Sequence, residues 1–193
     1  MFLGTIVYAV INSVILILMS IGFNLTFGIS GISNFAYGAL YILAAFATWM
    51  LLYLVGLPYL VSALISILFT AFIGAMMYRF ILMRVRGQVL SEVIATFGIG
   101  LAILEFFRYL GFVGVEYSLP VFIDESFMIG EVYVDMQRIL IVIAAVVLVF
   151  LLWLFVHHTS LGLAFRGIAQ DERTALTFGM DSDWIATLSV SLG

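Results

Sequence analysis

Thr5-Ile-Val-Tyr-Ala-Val-Ile-Asn-Ser-Val-Ile-Leu-Ile-Leu-Met-Ser-Ile-Gly-Phe23 runs for nineteen residues without an Asp, Glu, Lys, Arg or His. The silence extends on both sides, and the first such residue in the chain is Arg79. A water-soluble surface carries about a quarter charged residues, so the solvent for this stretch is lipid. The whole chain agrees: 193 residues, 65% hydrophobic and 9% charged. Eighteen Phe, nine Tyr and three Trp suit lipid-facing surfaces and interfacial belts. There is no cysteine, which excludes disulfides and Cys-ligated metals, and all seven basic residues are Arg. No basic stretch precedes the first apolar run, so it does not read as a cleaved signal peptide. A single anchor on a soluble domain is excluded as well, because apolar runs recur to the end. The fold class is therefore all-α: a polytopic transmembrane helical bundle, one domain over residues 1–193.

A span needs roughly 20 apolar residues. Thr5–Phe23, Phe35–Tyr53, Tyr59–Tyr78, Ser91–Leu110 and Ile139–Val156 supply five, and a sixth starts near Trp184. Because the sixth is cut at Gly193, the reading expects a protein that continues beyond it. Arg79, Arg84 and Arg86 lie between the third and fourth spans; Arg166 and Arg173 follow the fifth, near His157 and His158. The segment 111–138 instead holds Glu116, Asp124, Glu125, Glu131 and Asp135 against one Arg. Short Arg-bearing loops stay cytoplasmic, so 79–90 and 157–183 are expected inside and 111–138 outside. Simple crossings put the N-terminus outside; a re-entrant Asn24–Gly38 would return it to the cytoplasm. Two short β-type runs flank Gly130-Glu131, which reads either as a small extracytoplasmic hairpin or as a solvated loop.

Two segments are unlike the rest. Gly22, Gly28, Gly31 and Gly38 are interleaved with Asn24, Ser30, Ser33 and Asn34. Glycines break helical regularity or let helices approach, and an Asn amide in lipid needs a partner. Irregular backbone at membrane depth survives only where it is buried or lines a cavity. The segment is thus either tight packing or a transport path. The second segment, 157–183, is the longest polar stretch. Arg166, Gln170 and Arg173 are spaced to share one helical face, Phe178-Gly179 supplies a stop, and Asp181 or Ser182 can cap the next helix. By spacing alone it is an interfacial helix or a knob for a soluble partner.

No catalytic constellation is visible. Glu105 and Arg108, at i and i+3, can neutralise each other near the end of the fourth span. Glu92 complements the N-terminus of that same helix. His157 and His158 have no accompanying ligand set, so no metal is expected. Without Lys a Walker phosphate loop is impossible. The chain is expected to be neither an enzyme nor a cofactor carrier, and nothing in it points to nucleic acid.

Phe27-Gly28-Ile29-Ser30-Gly31-Ile32-Ser33-Asn34-Phe35-Ala36-Tyr37-Gly38 resembles the signature of the branched-chain amino acid ABC transporter permeases, the LivH-type subunit. That pattern reads approximately F-G-x-x-G-x-x-N-F-A-H-G. Asn34, Phe35, Ala36 and Gly38 match, whereas Tyr37 stands where His is usual and Ala39 where many members have an acid. Residues 159–181 are similar to the family's coupling loop, G-x-x-x-R-A-x-A-Q-D-x-x-x-A-x-x-x-G-I. Gly162, Arg166, Ala169, Gln170, Asp171, Ala175 and Gly179 match; Gly167 replaces a usual Ala, and Leu161 stands where a basic residue is common.

The resemblance implies a multi-pass permease subunit of an ABC importer in the inner membrane. Branched-chain or related small amino acids would be the cargo. A second permease, two ATP-binding subunits and an extracytoplasmic substrate-binding protein would be the partners. It places Asn24, Gly28, Gly31, Asn34, Tyr37 and Gly38 along the substrate pathway. It gives the seven matched residues of 157–183 to ATPase coupling. The rival readings are an ion-coupled secondary transporter or channel for a small neutral solute, which needs a buried ionisable pair, and a membrane-embedded enzyme.

Overall fold

The computed structural model describes residues 2–112, 119–120, 126–129 and 132–193. The helices are α1 (Phe2–Ser30), α2 (Tyr37–Tyr53), α3 (Tyr59–Met77), a short α4 (Met83–Val85), α5 (Val89–Tyr109), α6 (Met136–His158), α7 (Ser160–Gln170), α8 (Glu172–Thr177) and α9 (Ser182–Leu192). One π turn, Tyr78–Leu82, joins α3 to α4 without a break. Strands β1 (Ser126–Ile129) and β2 (Val132–Asp135) pair antiparallel, with Ser126 opposite Asp135 and Ile129 opposite Val132.

Among the described residues, four helical stretches are long and apolar enough to cross a bilayer: 4–30, 59–85, 89–109 and 136–158. In lipid every backbone group must find its partner within the segment, which an uninterrupted helix achieves. The span expected at Phe35–Tyr53 is a helix of 17 residues starting at Tyr37, short of the roughly 20 needed for a full crossing. The third span does not end at Tyr78 but stays helical to Val85. The lipid-type surface is plain on α6, where Ala145 is the one buried residue, and on α3, where Leu68 is 70% exposed.

The bundle has two identifiable ends. At one, the Tyr8 hydroxyl of α1 donates to the Tyr133 carbonyl of β2 at 2.7 Å. The Arg138 guanidinium of α6 lies 4.9 Å from the centre of the Tyr8 ring and pairs with Asp135 at 3.2 Å. At the other, Ile29 of α1 packs with Phe165, Ile168, Ala175 and Ile185. Helices α1 and α6 therefore run parallel, from the strand-pair end to the 159–183 end. The N-terminal part of α1 shares its end with the strands.

Two apolar clusters hold the bundle together. Ile32, Ala36, Leu40, Met77, Tyr78, Leu82, Ala186 and Val190 join α2, the α3 π turn and α9. The second cluster seats α7 and α8 against α1 and α9. Full burial of a side chain such as Phe165, 1% exposed, stabilises by about 1.5–3 kcal/mol.

Candidate functional site: a polar elbow and a helix break at membrane depth

The first polar feature is narrower than its sequence suggests. Residues 22–30 are helical, so Asn24 and Gly28 belong to α1, and only residues 31–36 leave helical geometry. Gly31 turns the chain with φ +71, a region glycine enters without steric cost. Ser30 closes the end of α1: its Oγ donates to Thr26 O at 2.8 Å and accepts from Ile32 N at 3.2 Å. Asn34, 2% exposed, accepts Ala36 N on its Oδ1 at 3.0 Å. The start of α2 is thereby pinned. This turn lies well inside the bundle. The Ser33 carbonyl receives the Thr96 hydroxyl at 3.5 Å, and Ala36 packs on Gly100, where a Cβ would meet Ala36 Cα at 3.4 Å. Thr96 and Gly100 are 7 and 11 residues into α5, about 10–17 Å along its axis.

Beside the break lies a cavity of about 200 Å³ between α1, α2, α3 and α9, lined by Asn34, Tyr37, Tyr41, Thr70, Ser191 and surrounding apolar residues. Its lining holds no charged side chain. Tyr37 donates its hydroxyl to Gly193 O at 2.8 Å. The Thr70 hydroxyl oxygen is buried with no hydrogen-bond partner among the described residues. The six expected pathway residues thus separate. Asn34 and Tyr37 line this cavity, whereas Asn24 and Gly28 line a shallow groove with Phe165, Arg166 and Ala169. Gly31 and Gly38 are in neither lining, and both are exposed.

The second feature is an elbow built from short helices with explicit caps. The Thr159 hydroxyl ends α6 by donating to Phe155 O at 2.6 Å and starts α7 by accepting Gly162 N at 2.9 Å. A Cβ on Gly162 would overlap the Phe155 and Val156 carbonyl oxygens, so only glycine lets α7 fold back this tightly. Asp171 accepts Arg173 N at 3.0 Å and Thr174 N at 3.3 Å, and accepts a hydrogen bond from the Thr174 hydroxyl as well. The Thr174 hydroxyl and backbone N–H, with Arg173 N–H, hold the Asp171 carboxyl below the usual carboxylate range. Met180 N bonds Ala175 O and Gly179 N bonds Leu176 O, the paired bonds of a Schellman ending, with Gly179 at φ +80. Asp181 then caps α9 through Asp183 N and Trp184 N.

This geometry corrects one expectation. Arg173 does not share a face with Arg166 and Gln170, because Asp171, at φ −155 and ψ 101, ends α7 and opens α8. A carboxylate that accepts two amides beyond it competes with continuation of the helix. Of the seven coupling residues, Arg166, Ala169, Gln170, Asp171 and Gly179 are exposed. Gly162 and Ala175 are buried, and Gly179 makes the turn.

Sequence reasoning missed the ion cluster behind the elbow. Arg86 donates to Glu172 of α8 at 2.8 Å and to Asp183 of α9 at 3.2 Å. The pairing ties the 79–90 loop and the elbow to one end of the bundle. Nearby, Glu92 is 5% exposed and accepts Gly87 N at 2.7 Å. Tyr78 is fully buried, and its hydroxyl has no partner among the described residues, a cost of about 1–3 kcal/mol. By contrast Glu105 and Arg108 pair at 3.4 Å with both side chains about two-thirds exposed. Among the described residues no group of three His, Asp or Glu is placed to hold a metal.

A many-helix apolar bundle with one capped hydrophilic elbow, and a helix interruption held by neutral side chains within it, defines an integral membrane protein of the transport type. Residues 5–193 match the family model described as "Branched-chain amino acid transport system / permease component". The chain belongs to that family, whose members are transport permease components and not catalytic subunits. The high-affinity branched-chain amino acid transport system permease protein BraD of Pseudomonas aeruginosa is 28% identical over 190 residues, covering 91% of this chain. The chain spans 62% of that relative's length. No solved structure matches it.

Proposed function

We propose that this chain is the permease subunit of an ABC importer that carries branched-chain or related small amino acids across the inner membrane. ATP is hydrolysed on separate subunits that seat on the elbow, α7–α8. A second permease completes the pathway, and a binding protein docks at the strand-pair end. The observation that carries the reading is the elbow itself: Arg166, Ala169, Gln170 and Asp171 all stand exposed on it, while Phe165 and Ile168 anchor it to α1 and α9. With Phe165 and Ile168 turned inward, these polar residues and the exposed Leu163, Leu176 and Phe178 beside them are left for a soluble partner.

The substrate pathway passes the cavity beside the 31–36 break. Neutral donors and acceptors and apolar walls suit a small solute with no net charge. Asn24 and Gly28, in the groove shared with Arg166, connect the pathway helix to the elbow. The ion-coupled rival needs an ionisable pair inside the bundle, and the Glu105–Arg108 pair is exposed.

Arg166→Glu tests the reading. The expected result is normal membrane insertion, loss of co-purifying ATP-binding subunits and loss of ATP-driven uptake in proteoliposomes. Retention of both would overturn the coupling assignment, and gradient-driven uptake without any ATPase would establish the rival.

A further inference from the structure

Movement of an elbow does no work unless something rigid carries it into the spans. Backbone packing and an ionic pair tie α8 and α9 to α3 and the segment that continues it. At Gly74 a Cβ would lie 3.0 Å from Val190 O, so the two helices touch backbone to backbone. One turn beyond the π segment, Arg86 grips Glu172 and Asp183. These acids sit on either side of the Phe178–Asp181 turn, so one guanidinium holds both halves of the elbow's second arm. Arg presents a planar fork of donors, which suits two carboxylates at once. Its side chain is 20% exposed, against 42% and 43% for the two acids.

Between the clamp and the Gly74 contact lies the π turn, Tyr78–Leu82. Such turns recur where helices change shape at functional sites. Its first residue is the buried Tyr78, whose hydroxyl has no partner among the described residues. Tyr78 shares its apolar cluster with Ala186 of α9, which lies three residues beyond Asp183 on the same helix.

Resting on the reading that the elbow receives force from an ATPase, we propose that Arg86 is a two-armed ionic clamp that transmits elbow motion to α3, and that the Tyr78 hydroxyl completes a hydrogen bond to Asp183 only in the moved state. At rest Arg86 occupies Asp183 and Tyr78 waits unpaired. When α8 and α9 shift, the π turn absorbs the displacement and Tyr78 donates to the displaced carboxylate. Both are positioning residues; neither needs to touch cargo.

The chain has no cysteine, so paired spin labels at Arg84→Cys and Thr177→Cys report the distance between the α4 end and α8 in the full transporter with its co-purified subunits. In the parent, ATP is expected to move both labels together, with uptake intact. Arg86→Gln is expected to let Thr177 move while Arg84 stays, changing the distance on ATP addition, with uptake down about tenfold. The charge swap Arg86→Glu with Glu172→Arg and Asp183→Arg is expected to restore the joint motion. Tyr78→Phe is expected to leave resting thermal stability unchanged or higher while slowing uptake about tenfold. An Arg86→Gln protein with parental uptake and parental label distances overturns the clamp. A Tyr78→Phe protein that melts lower at rest shows a hydrogen bond already made and overturns the latch. If the parent takes up substrate without the ATP-binding subunits, the elbow reading itself has failed rather than the clamp.

Discussion

Two of the breaks between helices are sealed with different chemistry. At 31–36 the free backbone groups are met by Ser30 and Asn34, neutral side chains that are both nearly inaccessible. At the elbow the same task falls to Asp171 and Asp181, carboxylates that stand exposed. Asn, Asp and Ser oxygens can all accept a nearby backbone N–H in a turn or cap. The choice between amide and carboxylate is therefore set by the surroundings. A charge inside the bundle has no solvent to stabilise it, and a charge at the elbow gains from the N-terminus it faces.

That contrast breaks most visibly at Asn34. Asn34→Asp keeps the acceptor for Ala36 N but adds a charge at membrane depth. Thermal unfolding in detergent is expected to show a loss of about 2.5–3.5 kcal/mol. A change near zero would place the 31–36 turn in water and end the comparison. Next comes Gly162→Ala, whose Cβ meets backbone oxygens that cannot swing away. A loss of about 1–3 kcal/mol is expected, with α7 released first in hydrogen exchange. Asp181→Ala removes the cap of α9 and is expected to cost about 1 kcal/mol by the same unfolding assay. The smallest effect sharpens the comparison from the other side. Asp171→Asn should lower the neutral-pH melting temperature only slightly, because the cap geometry survives and only the charge facing the helix N-terminus is lost.

Acid separates Asp171 from its amide replacement. The folded Asp171 carboxyl is held below its ordinary value by the Thr174 hydroxyl and the two N–H groups. Its contribution to stability is present above the unfolded-state value of about 3.9 and is lost as pH falls through the folded-state value. Hydrogen exchange of α8 is expected to rise in that acid window in the parent chain and to stay flat in Asp171→Asn. Equal acid sensitivity in both would remove Asp171 as the titrating cap.

Much of the elbow was legible because its instructions are local. Thr159, Asp171, Gly179 and Asp181 each act within four residues along the chain, and capping rules operate at that range. The same rules mislead where two local signals compete. The spacing of Arg166, Gln170 and Arg173 reads as one helical face, but Asp171 between them is a stronger start signal than the run is a continuous helix. The break near Asn34 was legible in kind but not in extent. Asn24 and Gly28 look like breakers in the text and sit inside a regular helix, because an uncharged α1 continues wherever lipid forbids open backbone.

Composition and local order alone determined that this chain lives in a membrane, that its mass is helical, and that residues 159–183 form a hydrophilic interruption with defined ends. Those outcomes follow from the absence of charge before Arg79 and from caps that reach only to their neighbours. Tertiary structure decided what touches what. It brought Arg86 to Glu172 and Asp183 across 86 and 97 residues of chain, left the Tyr78 hydroxyl buried without a partner among the described residues, and divided Asn34 and Tyr37 from Asn24 and Gly28. No periodicity spans such distances, because they are settled by how whole helices pack.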